Sequence, residues 1–221
     1  EVEQMNLFKD MVCYQEEVRD PSRMAEVLNR VIEKAFRGSA PAQINVPRDY
    51  WTQVIDIELP PIVRFERQSG GKDAIERASN LLSKAKFPVI LSGAGVVIGG
   101  AIEECKKLAE KLDAPVCNGY QHNDSFPGSH PLAVGPLGYN GSKAAMELIS
   151  KADVVLALGT RLNPFSTLPG YGIDYWPKNA TIIQVDMNPD RIGLTKKVTV
   201  GICGDAKQVT QQLLDKLSSD A

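Results

Sequence analysis

The sequence has few of the residues that mark metal sites or disulfide-rich domains. Its 221 residues contain two histidines and four cysteines, and aromatic residues make up 6% of the chain. The cysteines form no C-x-x-C pair, and two of them lie within apolar patterns. This pattern favours buried, reduced thiols, and we therefore expect a cytoplasmic protein without a metal site.

Membrane and nucleic-acid partners are not indicated either. No apolar stretch approaches the length of a membrane span, and the first residues, Glu1-Val2-Glu3, are unlike a signal peptide. The net charge of −2 provides no basic excess for a nucleic-acid groove. Because the first residue is not methionine, we also expect a processed or truncated chain.

One stretch organises the rest of the chain. The segment Phe87 to Val96, FPVILSGAGV, predicts a buried parallel strand that ends in a glycine turn, and a helix is predicted from Ala101 to Leu112. Strand, turn and helix are typical of the first unit of a doubly wound α/β sheet. Backbone amides at such a turn favour an anion, which makes a nucleotide the natural ligand. The spacing Gly93-x-Gly95-x-x-x-Gly99 differs from the dinucleotide fingerprint, so the motif alone does not establish a nucleotide site.

Four further strands are predicted after this unit. They cover Pro115–Cys117, Asp153–Leu158, Thr181–Val185 and Val198–Ile202. Ser142 is predicted to cap a helix over Ala144–Ile149, and a closing helix contains Val209 to Leu217. Three of the strands end in small or polar residues, and ligands bind at this edge in open parallel sheets.

The beginning of the chain predicts too few elements for a domain. Asp20-Pro21 predicts the start of a helix that ends at Gly38, followed by a strand over Ala42–Val46, with a second strand or an extended segment at Val12–Val18. These elements cannot enclose a core of their own. We therefore interpret residues 1–48 as the end of a preceding domain, 49–71 as an inter-domain linker, and 72–221 as a second domain.

Several segments together resemble a known family. SGAGV, FPGSHPLAVGPLGYNG, ADVVLALGTRL, IIQVDMNPDRIG and GDA occur in the order found in the central domain of thiamine-diphosphate enzymes of the acetolactate synthase type. Residues 30–51, RVIEKAFRGSAPAQINVPRDYW, are similar to the end of the pyrimidine-binding domain of the same enzymes. The resemblance covers nearly the whole chain. It implies a Rossmann-like, doubly wound parallel sheet preceded by an incomplete α/β remnant of the pyrimidine domain.

Within this family, residues 11–35 and 51–60 look most like the sulfoacetaldehyde acetyltransferases. That similarity implies an acyltransferase of sulfonate metabolism that converts sulfoacetaldehyde and phosphate to acetyl phosphate and sulfite. It also implies thiamine diphosphate and Mg²⁺ in the full-length enzyme, and a homo-oligomer. The family's activating glutamate and its diphosphate motif have no match here, so we expect the chain alone to be inactive, without catalytic or metal-binding residues. The alternatives are an acetolactate-synthase-like enzyme fragment and a free-standing FAD- or ADP-binding module.

The resemblance also implies residues for a nucleotide, because related central domains hold FAD or ADP. The matching positions are Gly93, Gly95, Leu137, Gly138, Gly159, Thr160, Arg161, Asp186 and Asp205. Acetolactate synthases have Met-His-Gly where this chain has residues 139–141, Tyr-Asn-Gly, and Arg-Phe-Asp-Asp-Arg from position 161, where this chain has Arg-Leu-Asn-Pro. These differences argue against FAD and leave an ADP-like ligand or an empty pocket.

Each of these residues has a structural alternative. The glycines supply a tight turn in any βα unit, and aspartates after strands commonly cap helices. Arg161 could instead form an inter-domain ion pair. His122 and His130 are interpreted as loop residues, and residues 161–179 as an ordered loop packed on a neighbouring domain or subunit.

Overall fold

The structure, a computed structural model, describes residues 2–61 and 66–219. The chain divides into two units, Glu1–Phe65 and Glu66–Ala221. Residues 62–65 belong to the linker expected at 49–71 and lie outside the described residues, as do the first residue and the last two.

The first unit is built on a parallel βαβ crossover. Its elements are α1 (Gln4–Phe8), β1 (Tyr14–Glu17), α2 (Met24–Gly38) and β2 (Ala42–Asn45). The Asp-Pro signal is confirmed, because the Asp20 side chain accepts a hydrogen bond from the Ser22 amide at 2.9 Å. A 3₁₀ turn, Pro21–Arg23, leads into α2. Val18, Val27 and Val31 form a small core beneath the helix.

The second unit contains the predicted doubly wound sheet. Its helices are α3 (Lys72–Leu82), α4 (Ala94–Ile98), α5 (Ile102–Leu112), α6 (Lys143–Ile149) and α7 (Ala206–Ser219). Its strands are β3 (Pro88–Ser92), β4 (Val116–Gly119), β5 (Ala133–Leu137), β6 (Val154–Leu158), β7 (Thr181–Asp186) and β8 (Val200–Cys203). Among the described residues, these six strands are all parallel, in the order β5-β4-β3-β6-β7-β8.

Both faces of this sheet are covered, which explains the nearly continuous apolar runs in its strands. Ile90, Leu156 and Ile183 belong to the core that contains α3, α5 and α7. The residues beside them in the chain, including Val89 and Val155, belong to the opposite core, which contains α6. Because successive side chains of a strand point to opposite faces of the sheet, each strand contributes residues to both cores.

The strand order creates a switch point. From β3 the chain moves outward to β4 and β5, then returns to β6, which pairs with the other side of β3. In open α/β sheets, ligands bind outside the carboxyl ends of the strands at such a point. We therefore expect a ligand site at the carboxyl ends of β3 and β6.

One strand was not predicted from the sequence. The sequence patterns assign no element to residues 133–137, but these residues form β5, which pairs only with β4 at the edge of the sheet. The five predicted strands are therefore present, and β5 is a sixth that the sequence patterns missed. Gly135 and Pro136 obscure the pattern, since both residues weaken a central strand but are tolerated at an edge.

Candidate ligand-binding edge

The residues implied for a nucleotide lie at one edge of the larger sheet. All of them lie at or just after the carboxyl ends of parallel strands, namely β3, β5, β6, β7 and β8. The parallel order of the strands explains this placement, because their carboxyl ends share one edge. The contacts that each residue makes then decide what it can offer to a ligand.

The glycine turns after β3 and β6 pack directly on each other. The Gly93 amide donates to the Leu158 carbonyl at 3.1 Å, and the Gly95 amide donates to the Gly159 carbonyl at 2.8 Å. A Cβ atom at Gly95 would lie 2.6 Å from Gly159 Cα, and one at Gly93 would lie 2.6 Å from Thr160 Cβ. Glycine is required here because the two backbones touch, and the structure thus supports the tight-turn alternative.

The Leu137-Gly138 segment is covered by the loop that follows β6. Gly138 has a φ of +89°, and a Cβ atom there would clash with the Phe165 carbonyl. The Tyr139 amide donates to that same carbonyl at 2.9 Å. Leu137 itself is fully buried. This segment therefore meets the protein's own chain where the resemblance implies a ligand.

Asp205 acts as a helix cap. Its Oδ1 accepts hydrogen bonds from the Lys207 amide at 3.0 Å and the Gln208 amide at 3.2 Å, at the start of α7. Its Oδ2 lies 3.3 Å from the Arg67 guanidinium, which also donates to the Gly99 carbonyl at 2.5 Å. Because the side chain is 2% exposed, these contacts account for much of its bonding capacity.

The side chains of Asp186 and Arg161 make fewer contacts within the protein than Asp205 does. The Asp186 carboxylate accepts one hydrogen bond, from the Asn188 amide at 2.9 Å, and is 8% exposed. Arg161 is exposed, and within the described ranges it has no ion-pair or hydrogen-bond partner. Of the predicted site residues, Arg161 is thus the one with charge available for an anion.

Sequence reasoning missed several polar residues at this edge. Gln184, 1% exposed, donates to the Thr160 and Arg191 carbonyls, both at 3.1 Å, and its Oε1 accepts from the Gly193 amide at 2.9 Å. It ties the turn after β6 to the loop after β7. A polar residue inside the apolar run TIIQV was the available signal, since buried amides need partners.

A second buried cluster lies at the ends of β3 and β4. The Asn118 amide group donates to Ser125 Oγ at 2.8 Å, and Ser125 Oγ donates to the His122 carbonyl at 2.8 Å. Ser92 Oγ donates to the Ser125 carbonyl at 3.3 Å. These contacts are internal, so the cluster holds the loop after β4 in place.

The described residues contain no cluster of metal-ligating side chains. Within residues 2–61 and 66–219, no three His, Cys, Asp or Glu side chains are grouped so that they could hold a metal ion. His130 is engaged structurally, with Nε2 lying 3.1 Å from Glu110 and Nδ1 accepting from the Leu132 amide.

Two of the four thiols are made unreactive by burial. All four cysteines are free; Cys105 and Cys117 are buried, whereas Cys13 is exposed and Cys203 half-buried. Burial raises the pKa of both the Cys105 and Cys117 thiols to about 12. Neither thiol is a nucleophile at neutral pH.

Residues 75–213 match the family described as thiamine pyrophosphate enzyme, central domain. The chain belongs to this family. The match covers the doubly wound sheet and the switch point, and it confirms the family resemblance drawn from the sequence.

Curated relatives extend the match to the first unit. Over 221 residues the chain is 80% identical to a probable sulfoacetaldehyde acetyltransferase of Rhizobium meliloti (strain 1021) and 77% identical to a sulfoacetaldehyde acetyltransferase of Roseovarius nubinhibens, covering all of this chain and 37% of each relative. It is 35% identical to a probable acetolactate synthase large subunit of Methanocaldococcus jannaschii, covering 98% of this chain and 38% of that protein. The chain therefore spans little more than a third of these relatives.

Solved structures share the fold. The crystal structure of benzoylformate decarboxylase from Polynucleobacter necessarius matches with a TM-score of 0.80 at 23% identity, covering 97% of this chain and 40% of that one. At that identity the likeness establishes the architecture and nothing about activity. None of the helices in the described ranges has the length and apolar character needed to cross a membrane.

Proposed function

We propose that this chain is part of a thiamine-diphosphate- and Mg²⁺-dependent sulfoacetaldehyde acetyltransferase, which forms acetyl phosphate and sulfite from sulfoacetaldehyde and phosphate. The observation that carries the proposal is the 80% identity to the Rhizobium meliloti relative along all 221 residues. An acetolactate synthase is the weaker alternative, since identity to the Methanocaldococcus jannaschii relative is 35%.

Under this proposal residues 1–48 end the pyrimidine-binding domain, 49–71 form the linker, and 72–221 form the central domain. The thiamine diphosphate would supply an electron sink for the substrate carbon. The central domain would contribute no group that touches the substrate, and it would act as a scaffold.

The proposed enzyme is a cytoplasmic homo-oligomer. Support for self-association comes from α2, on which Leu28, Ile32 and Phe36 recur every four residues and are 42%, 46% and 79% exposed. An apolar stripe of this kind is costly in water, and in the 221-residue chain, which lacks the rest of the proposed pyrimidine-binding domain, it favours self-association. Light scattering of the 221-residue chain should show particles heavier than a monomer. A strict monomer would contradict this part of the proposal.

Turnover of the full-length enzyme tests the reaction. With thiamine diphosphate, Mg²⁺, phosphate and sulfoacetaldehyde, we expect equal amounts of acetyl phosphate and sulfite. Pyruvate in place of sulfoacetaldehyde is the matched control and should give no acetolactate. If the enzyme instead formed acetolactate from pyruvate and released no sulfite from sulfoacetaldehyde, the acetolactate synthase alternative would replace the proposal. The 221-residue chain alone should release no sulfite.

A further inference from the structure

The loop that follows β6 is attached to its own domain at several points. Residues 163–175, here called the β6 loop, begin with a 3₁₀ turn, Pro164–Ser166, whose Phe165 amide donates to the Asn163 side chain at 2.9 Å. The Phe165 carbonyl accepts from the Tyr139 amide at 2.9 Å. The loop is thereby joined to the chain that leaves β5.

Two tyrosines strengthen this attachment. The Tyr171 hydroxyl donates to the Gly141 carbonyl at 3.2 Å. Tyr175 is 1% exposed and lies in the core with Cys117 and Met146. Its hydroxyl lies near the Gly138 backbone without reaching hydrogen-bond geometry with any described group. Because it is enclosed, no ligand reaches that hydroxyl unless the loop moves.

Glycines permit the close packing of the loop. A Cβ atom at Gly138 would lie 2.7 Å from Ser166 Cα, and one at Gly170 would lie 2.7 Å from Met146 Cε of α6. The side-chain space of these glycines is therefore occupied by the protein. The need for glycine at position 138 is explained without a ligand.

At the switch point, too, the protein's own backbone occupies the groups that could bind a ligand. The amides of Gly93, Gly95 and Gly159 donate to the carbonyls of Leu158, Gly159 and Val185. A phosphate bound at glycine-rich turns requires free backbone N–H groups, and these three are already used. These three N–H groups are therefore not available to a phosphate at the switch point.

We propose that the β6 loop and the interlocked glycines of the switch point fill the carboxyl edge of this domain, so that the protein's own chain occupies the place of a nucleotide. The inference rests on the central-domain assignment of the proposed function, but not on the acetyl-transfer reaction. It selects the empty-pocket alternative over an ADP-like ligand.

Binding experiments on the full-length enzyme test the proposal directly. ADP and FAD are titrated separately by calorimetry, and the melting temperature is measured with each at millimolar concentration. We expect no saturable heat and no shift in the melting temperature. One-to-one binding of either compound, abolished by Arg161→Ala, would overturn the proposal. Turnover is measured in parallel, so loss of the proposed reaction and presence of a nucleotide are separate results.

A variant pair tests whether the loop is seated as described. Gly138→Ala should loosen the β6 loop, because the new methyl group meets Phe165 and Ser166. The control is Gly193→Ala, which carries a similar backbone strain, since φ is +75° at Gly193 and +89° at Gly138, but has nothing within 4 Å of the added methyl group. Hydrogen exchange across 163–175 should rise about tenfold in the first variant and stay unchanged in the second.

Equal exchange in the two variants would contradict the proposal. If Gly138→Ala does not fold, Tyr171→Phe replaces it, because this change removes only the hydroxyl that donates to Gly141. Faster exchange in the β6 loop of Tyr171→Phe supports the attachment, and unchanged exchange argues against it.

Discussion

Gly95→Ala is the sharpest test of the packed switch point, because two effects of known size oppose each other there. Gly95 lies in α4, and alanine is favoured over glycine in a helix by at most about 1 kcal/mol. Against this gain, the new Cβ atom would lie 2.6 Å from Gly159 Cα. Carbon atoms in contact prefer separations of about 3.5–4.0 Å, so one turn would have to move by about 1 Å.

The surroundings resist that movement. Ser92 and Leu158 pair at the ends of β3 and β6, and the Gly95 amide bonds to the Gly159 carbonyl at 2.8 Å. Overpacking typically costs about 1–3 kcal/mol, and a lost hydrogen bond adds about 1 kcal/mol. After the helical gain is subtracted, we expect a net destabilisation of about 1–3 kcal/mol.

Thermal unfolding followed by far-ultraviolet circular dichroism measures this difference. A loss of about 2 kcal/mol corresponds to a melting temperature lower by about 4–8 °C for a domain of this size. Gly128→Ala is the control, since nothing lies within 4 Å of the added methyl group, and it should change stability by less than about 0.5 kcal/mol. If Gly95→Ala were as stable as the parent chain, or more stable, the described contact would be refuted.

Three further predictions concern other parts of the chain. Asp205→Ala should destabilise the second unit by about 1–2 kcal/mol because α7 loses its cap, whereas Asp205→Asn should recover most of that loss in urea unfolding. In the first unit, hydrogen bonds from Arg30 and Tyr14 lower the pKa of Glu16, so its contribution to stability should be complete above the ordinary glutamate pKa of about 4.3 and lost as the pH falls through the lower folded value. Arg30→Met should flatten this acid dependence, and an unchanged profile would contradict it. Iodoacetamide at neutral pH should label Cys13 first and should reach Cys105 and Cys117 only after unfolding, as intact mass would show; labelling of Cys105 or Cys117 in the folded chain would count against their burial.

The sequence predicted those parts of the fold that have a strong local pattern. The runs VILS, DVVLAL and TIIQV predicted β3, β6 and β7 because strands buried on both faces are apolar throughout. The capping of α6 by Ser142 was predicted from its position before a helical pattern and is confirmed by the bond from the Ala145 amide at 3.0 Å. β5 was missed because its Gly-Pro pair is compatible only with an edge, and edge position depends on tertiary structure.

The candidate site was predictable in its location but not in its contacts. Parallel strands bring their carboxyl ends together, so the grouping of Gly93, Thr160 and Asp186 at one edge follows from the strand assignments alone. The role of Arg67 could not be predicted, because it contacts Asp205 across 138 positions of sequence and lies in a segment interpreted as a linker. The nucleotide assignment itself stays a prediction.

A glycine at the carboxyl edge of a sheet can be required by a bound ligand or by tight packing of the protein itself, and the sequence is the same in both cases. A glycine is required wherever another group occupies its side-chain space, whether that group is a ligand or the protein's own backbone. In this chain the space at Gly95 is taken by Gly159, and the space at Gly138 by Phe165 and Ser166. The SGAG pattern is therefore a requirement of folding and does not discriminate between a bound nucleotide and an empty edge. A nucleotide would have to be bound by groups that the fold does not already use, and among the predicted site residues the most exposed of these is the guanidinium of Arg161.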